Sequence, residues 1–257
     1  MGLVDSNCRV EGEQHADSGW WTYIVIHKCT CSSLANMKIT DFGEENEGSD
    51  VNVEYPFMPG RCFSMLMAGP RGSWKTNTLC MMLTEPLINY DRLYVYAKNL
   101  QQAKLQKLQA YFEDMASHPN WIKKAGQTDK PAYFSSSSIM PLSSLTENLD
   151  KVVVFDDFLE AGKEEQRVIS EYFTQGRHKR CSVIYLSQSY YRTPKDVRLN
   201  CTHFCIFAIP SSRERLSILR DLGVSKEQYN AATARPYDFL YIDKVRNQVA
   251  KNFNEPV

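Results

Sequence analysis

The stretch that decides the fold is "CFSMLMAGPRGSWKTNTLCMML", residues 62–83. It opens as an apolar run of strand length (62–68) and closes as an apolar helix (76–85). Between them lies "GPRGSWKT" (69–76). A strand, a glycine-bearing loop and a helix in that order make a phosphate cradle. Backbone N–H groups at the helix N-terminus converge on the anion, a lysine adds a point charge, and a Ser or Thr hydroxyl holds Mg²⁺. The loop fits G-x-x-x-x-G-K-[ST] at every fixed position but one, with Gly69, Lys75 and Thr76 in register. Gly72 and Ser73 complete the turn, and Trp74 stands where the second glycine should be. Glycine there lets the backbone approach phosphate with no Cβ in the way. A tryptophan must turn its indole out of the loop, and a left-handed φ there would cost it ~1–2 kcal/mol. Without its context the octet would read equally well as a plain strand-to-helix turn.

A nucleotide site needs a Mg²⁺-linked acid at the end of a neighbouring apolar strand, and a second carboxylate to orient water. "KVVVFDD" (151–157) provides Asp156 and Asp157, with Glu160 a spare for the second role. Its apolar run does not alternate, as expected of a parallel strand covered on both faces. The alternative is a strand that simply ends in solvated acids. Room for one strand and one helix between the loop and this segment favours the site reading. "CSVIYLSQ" (181–188) ends in Gln188, which either faces a γ-phosphate or merely caps its strand. Arg177 in "TQGRHKRCS" (174–182) is expected at the edge of the sheet. There it either reaches a neighbouring subunit's phosphate or satisfies a helix C-terminus. "SQSYYRTPKDVR" (187–198) interleaves Tyr190 and Tyr191 with Arg192, Lys195 and Arg198. Such a segment tracks a nucleic-acid backbone and stacks on bases, or it is a solvated basic loop.

Strand patterns recur at 91–97, 131–138, 202–208 and 238–244. Helical patterns lie between them at 101–115 (Leu105, Leu108, Phe112), 163–173 (Val168, Ile169, Tyr172, Phe173) and 211–223. The last has a Ser at its start and a Gly at its end. Alternating strands and helices predict an α/β fold, a mostly parallel central sheet with helices on both faces. Residues 1–50 are expected to be an N-terminal extension or a gene-model appendage, and 51–257 the domain, with Met37 an earlier candidate start.

The chain has 257 residues, 43% hydrophobic and 23% charged, which suits one globular α/β domain or two small ones. No run of ~18 apolar residues predicts a membrane span, and the first residues do not read as a signal peptide. The net charge is zero. It is unevenly spread, though, with residues 41–60 acidic and 177–198 basic, so an anionic partner is not excluded. Eight cysteines sit mostly in apolar runs, as buried thiols of an intracellular protein do. "HKCTC" (27–31) and "CTHFC" (201–205) lack C-x-x-C spacing, so no zinc site is expected.

Together "FSMLMAGPRGSWKT", "VVVFDD" and above all "GRHKRCSVIYLSQSYYRTPKDVRLNCTHFCIF" (176–207) resemble the poxvirus-type genome-packaging ATPases. These belong to the FtsK/HerA group of DNA-pumping P-loop proteins, with relatives in other large DNA viruses and in Polinton (Maverick) transposons. The resemblance runs from about residue 60 to 245. It implies a RecA-like P-loop NTPase core that uses ATP and Mg²⁺ and forms a homo-oligomeric ring around double-stranded DNA. It further implies that a genome is driven into a capsid, with portal or vertex proteins as partners and no membrane. The setting would be intracellular, in the host nucleus or at a viral assembly site, or with the virion. By motif position it implies phosphate and Mg²⁺ binding by Lys75 and Thr76, and Mg²⁺ binding by Asp156. Asp157 is then the water-activating acid, Gln188 the sensor and Arg177 the finger supplied across the ring. Tyr190, Tyr191, Arg192, Lys195 and Arg198 are the expected DNA grip. Trp74 departs from the family's glycine, one base change away, and puts ATP binding in doubt. An impaired remnant that keeps the fold and DNA or partner binding is the alternative. A helicase or partition ATPase on the same core is a third reading.

Overall fold

The computed structural model describes residues 57–85, 87–117, 131–145 and 148–257. The expected N-terminal extension lies outside these residues. Strands β1 (Ser64–Ala68), β2 (Arg92–Ala97), β4 (Lys151–Asp156), β5 (Cys181–Ser187) and β6 (His203–Phe207) are buried along their whole length. β3 (Ala132–Ser135) lies at one side, and β7 (Phe239–Asp243), β8 (Gln248–Lys251) and β9 (Glu255–Pro256) extend the other. The sheet order is β3-β2-β4-β5-β1-β6-β7-β8-β9. β1 to β6 run parallel, and β7 to β9 are added antiparallel.

Successive residues of the central strands face opposite layers. Leu66, Phe155, Tyr185 and Phe204 point to one core, with residues of α3 (Lys163–Gln175), α5 (Ser212–Leu222) and α6 (Lys226–Ala232) packed there. Met65, Met67, Val154, Ile184 and Leu186 point to the other, under α1 (Lys75–Thr84) and α2 (Ala103–Ser117). Helices therefore cover both faces, as the unalternated apolar runs require.

A short helix α4 (Lys195–Asn200) begins directly after Pro194, inside the segment read as a basic loop. Proline's fixed φ suits such a start. Register brings the strand ends together. Ala68 pairs with Ser187 across β1 and β5, and Asp156 pairs with Leu186 across β4 and β5. The loops that follow β1, β4 and β5 thus open at one end of the sheet, where parallel α/β sheets place their ligands.

Candidate functional site

The phosphate loop is tied down at its start by the Gly69 N–H, which donates to the Ser187 carbonyl at 3.1 Å. The Ser73 N–H closes the turn on the Pro70 carbonyl at 3.3 Å, and Gly72 takes φ +83°. Gly69 has no room for a side chain: a Cβ would lie 2.7 Å from Phe207 Cβ and 2.8 Å from Ser73 Oγ. Lys75 curls back into the loop. Its Nζ donates to the carbonyls of Gly69 (2.6 Å) and Pro70 (2.9 Å) and to Ser73 Oγ (3.3 Å). Burial pulls the Lys75 ammonium down to about 8, against the attraction of Asp156 and Asp157. Thr76 follows it as the second residue of α1.

Trp74 adopts the glycine-type conformation, φ 71° and ψ 12°, at the N-cap of α1. Its indole leaves the cradle, is 43% exposed, and stacks on Tyr237 with centroids 4.1 Å apart and planes 24° apart. Lys104 Nζ lies 5.4 Å from the indole centroid. Tyr237 is itself left-handed, at φ 75°. Two such residues cost ~1–2 kcal/mol each. One aromatic stack returns ~0.5–1.5 kcal/mol and an exposed cation–π contact ~0.5–1 kcal/mol. Local contacts do not recover the strain, and unrecovered strain concentrates at functional sites.

Asp156 ends β4 and is 7% exposed, with Gln102 Nε2 donating to its Oδ2 at 3.5 Å. Its carboxyl is pushed up to about 6, first by burial and then by Asp157, while Lys75 and Gln102 oppose the shift. Asp157 is exposed and left-handed (φ 63°), and its Oδ1 accepts from Gln188 Nε2 at 3.1 Å. The structure thus brings Lys75, Asp156, Asp157 and Gln188 to one end of the sheet. Glu160 is instead held by Arg192. Thr76 and Asp156 offer the hard oxygen donors that suit Mg²⁺, a cation that takes one or two protein ligands and completes its shell with water and phosphate. Gln102 and Tyr237 were not found from sequence. Gln102 lies at the polar start of the 101–115 helical pattern, whose period marks only its apolar face, and Tyr237 lies in a turn with no periodic signal.

Arg177 is placed elsewhere. It lies in the 3₁₀ turn Gly176–Lys179, which enters β5 at the end opposite Gln188. β5 is flanked by β4 and β1, so the turn is not at a lateral edge of the sheet as expected. The basic segment also needs correction. Tyr190 is 2% exposed and packs in the core near Phe204, so it has no face for a base. Arg198 covers Tyr190 at 5.1 Å, pairs with Asp221 at 3.1 Å and donates to the Thr193 carbonyl. The cause is a folded-back turn: Thr193 Oγ1 donates to Ser187 Oγ, and Glu214 accepts from Ser189 Oγ and the Tyr191 N–H. Tyr191, Arg192 and Lys195 remain exposed.

Residues 53–232 match the poxvirus A32 protein family. The chain belongs to this family. Among its relatives, the DNA packaging protein OPG160 of Variola virus and that of Vaccinia virus (strain Copenhagen) are each 25% identical over 171 residues. That stretch is 63% of this chain and 58% of each relative, so the chain spans a little over half their length. The genome packaging NTPase B204 from Sulfolobus turreted icosahedral virus 2, solved with sulfate, superposes with a TM-score of 0.51. The match covers 76% of this chain and 97% of that one at 13% identity. B204 from Sulfolobus turreted icosahedral virus gives 0.50, over 77% and 100%, at 14% identity. The fold is the α/β P-loop NTPase core expected from the sequence.

Proposed function

We propose that this chain is an ATP-driven translocase that moves a viral or virus-like genome, as duplex DNA, into a capsid at a viral assembly site. The observation that carries the reading is the convergence of the Lys75 cradle, Asp156 and the Asp157–Gln188 pair at the ends of three adjacent parallel strands. The A32 family and its DNA packaging relatives support the same reading.

In this reading the backbone N–H groups of Gly72, Trp74, Lys75 and Thr76 hold the triphosphate, and the Lys75 amine exchanges its loop carbonyls for phosphate oxygens. Thr76 and Asp156 hold Mg²⁺, which neutralises phosphate charge when bound. Asp157 polarises the attacking water, and Gln188 fixes the carboxylate that does so. Arg177 lies the length of β5, about 20 Å at ~3.3 Å per residue, from its own site. It can act only on the site of the next subunit in a ring. Tyr191, Arg192 and Lys195 grip DNA through phosphates, without reading sequence, and capsid portal or vertex proteins receive it. The outward indole leaves the cradle unobstructed, which favours a working loop over a decayed one.

The test is phosphate release from ATP by the purified full chain, with and without duplex DNA. Hydrolysis that DNA stimulates, and that Lys75→Ala and Asp157→Asn abolish, is the expected result. Phosphate release no greater than in those two variants would refute the reading.

A further inference from the structure

Tyr237 sits two residues before β7, which runs antiparallel to β6 with Phe207 opposite Phe239. Tyr237 therefore lies just beyond the C-terminal end of β6, next to the loop that follows β1. Its turn is anchored. Asp238 pairs with Lys251 at 3.1 Å and accepts from Asn252 Nδ2 at 3.1 Å, and the Phe239 N–H donates to Asn252 Oδ1. Trp74 is fixed by the phosphate loop on one side and α1 on the other. Two rigid loops thus present a pair of half-exposed aromatic rings, both on left-handed residues, at the rim of the cradle. Tyr237 stacks on the indole at 4.1 Å, and Lys104 Nζ lies 5.4 Å from the indole centroid. Tyr237 is 53% exposed and Trp74 43%, so Tyr237 is the more open member of the stack.

We propose that Trp74 and Tyr237 form a stacking site for the purine base of the bound nucleotide, the base extending the stack on Tyr237. The proposal rests on the nucleotide reading of the phosphate loop and adds the part of the ligand that the loop does not touch. Every base has a π-face, and stacking on an aromatic side chain needs no hydrogen-bond readout. Fixed rings bind with little ordering cost, because both are already held in place. The strain at residues 74 and 237 then serves the ligand, since it keeps the rings at the rim.

The experiment compares ATP with tripolyphosphate, which carries the phosphates and no base, by calorimetry on the full chain. Tyr237→Ala should weaken ATP about tenfold and leave tripolyphosphate within twofold, while Tyr237→Phe should match the parent for both. Equal ATP affinity in Tyr237→Ala would overturn the base site, as would an equal loss for both ligands or a Tyr237→Phe defect as large as that of alanine. If the parent chain binds tripolyphosphate but binds ATP no more tightly, the base site fails while the phosphate loop stands. If it binds neither, the nucleotide reading fails and takes the base site with it. A second measurement needs no Tyr237 variant. Trp74 emission, taken as the difference between the parent and Trp74→Phe, should change on adding ATP and not on adding tripolyphosphate. The absence of an ATP-specific change would also overturn the proposal.

Discussion

Replacing Trp74 by glycine should leave the stability of the free protein almost unchanged, although it deletes the largest side chain available. The φ of 71° at this position is free for glycine, so the substitution recovers the ~1–2 kcal/mol that an L-residue pays there. Against this stands the loss of the Tyr237 stack, ~0.5–1.5 kcal/mol, and of the Lys104 contact, ~0.5–1 kcal/mol. The balance lies within about 1 kcal/mol of zero, whereas a buried Trp truncated to Ala costs ~3–5 kcal/mol. Urea unfolding of the parent, Trp74→Gly, Tyr237→Ala and the double variant measures this directly. The cycle should return a coupling of ~0.5–1.5 kcal/mol between the rings. A loss of 3 kcal/mol or more (about the cost of a buried tryptophan) in the single variant would show that the indole is packed and not strained. A coupling near zero would show that the rings do not stack in solution. Tripolyphosphate affinity should survive the substitution, because a glycine at this position keeps the same left-handed turn and the same backbone N–H directions.

Gly69→Ala forces a Cβ against Phe207 Cβ in β6 and should cost about 1–3 kcal/mol as well as phosphate affinity. Gly72→Ala meets no neighbour and should cost only its φ strain, ~1–2 kcal/mol; if urea melts and phosphate titrations find the two variants alike, the packing argument is wrong. Asp156 has a folded pKa of about 6, above its ordinary 3.8, so the folded state holds the extra proton and stability falls as pH rises from about 4 to about 6. Asp156→Asn should remove that slope and stabilise the nucleotide-free protein at pH 7.5 by up to ~3 kcal/mol, at ~1.4 per tenfold change in proton affinity, the opposing attraction of Lys75 being already contained in the raised value; parallel pH profiles of the two proteins would contradict it. Mixing Arg177→Ala with Lys75→Ala subunits should restore part of the ATPase activity, and no recovery in co-assembled rings would exclude a finger in trans. Arg192→Ala with Lys195→Ala should flatten the salt dependence of DNA affinity by about 2, at ~0.9 per phosphate contact, whereas Arg198→Ala should lower stability and leave that slope alone; anisotropy over a salt series separates the two.

The strands, the helices and the core of the site were legible in the sequence because their signals are local. A strand buried on both faces needs an unbroken apolar run, which made "KVVVFD" a central strand and put Asp156 and Asp157 at its end. The phosphate loop is built within eight residues, so its cradle, its lysine and the outward turn of the Trp74 indole followed from the octet and its flanks, while the left-handed φ of Trp74 was fixed by the structure. Tertiary structure decided what depends on pairing between distant segments. Apolar periodicity states that β5 is a strand but not that it runs between β4 and β1, and that neighbourhood sets Gln188 against Asp157 while leaving Arg177 at the far end. The dipeptide Tyr190–Tyr191 has one composition and two fates, because Thr193, Ser187 and Glu214 fold the segment back so that the first ring is buried and the second is not. Trp74 and Tyr237 are separated by more than half of the chain, and neither carries a periodic signal. Their contact exists because β7 is added antiparallel beside β6, which returns the chain to the rim of the cradle. Side-chain period fixes which residues a strand buries; which strands become neighbours is settled by the packing of both faces at once, and no single segment contains that information.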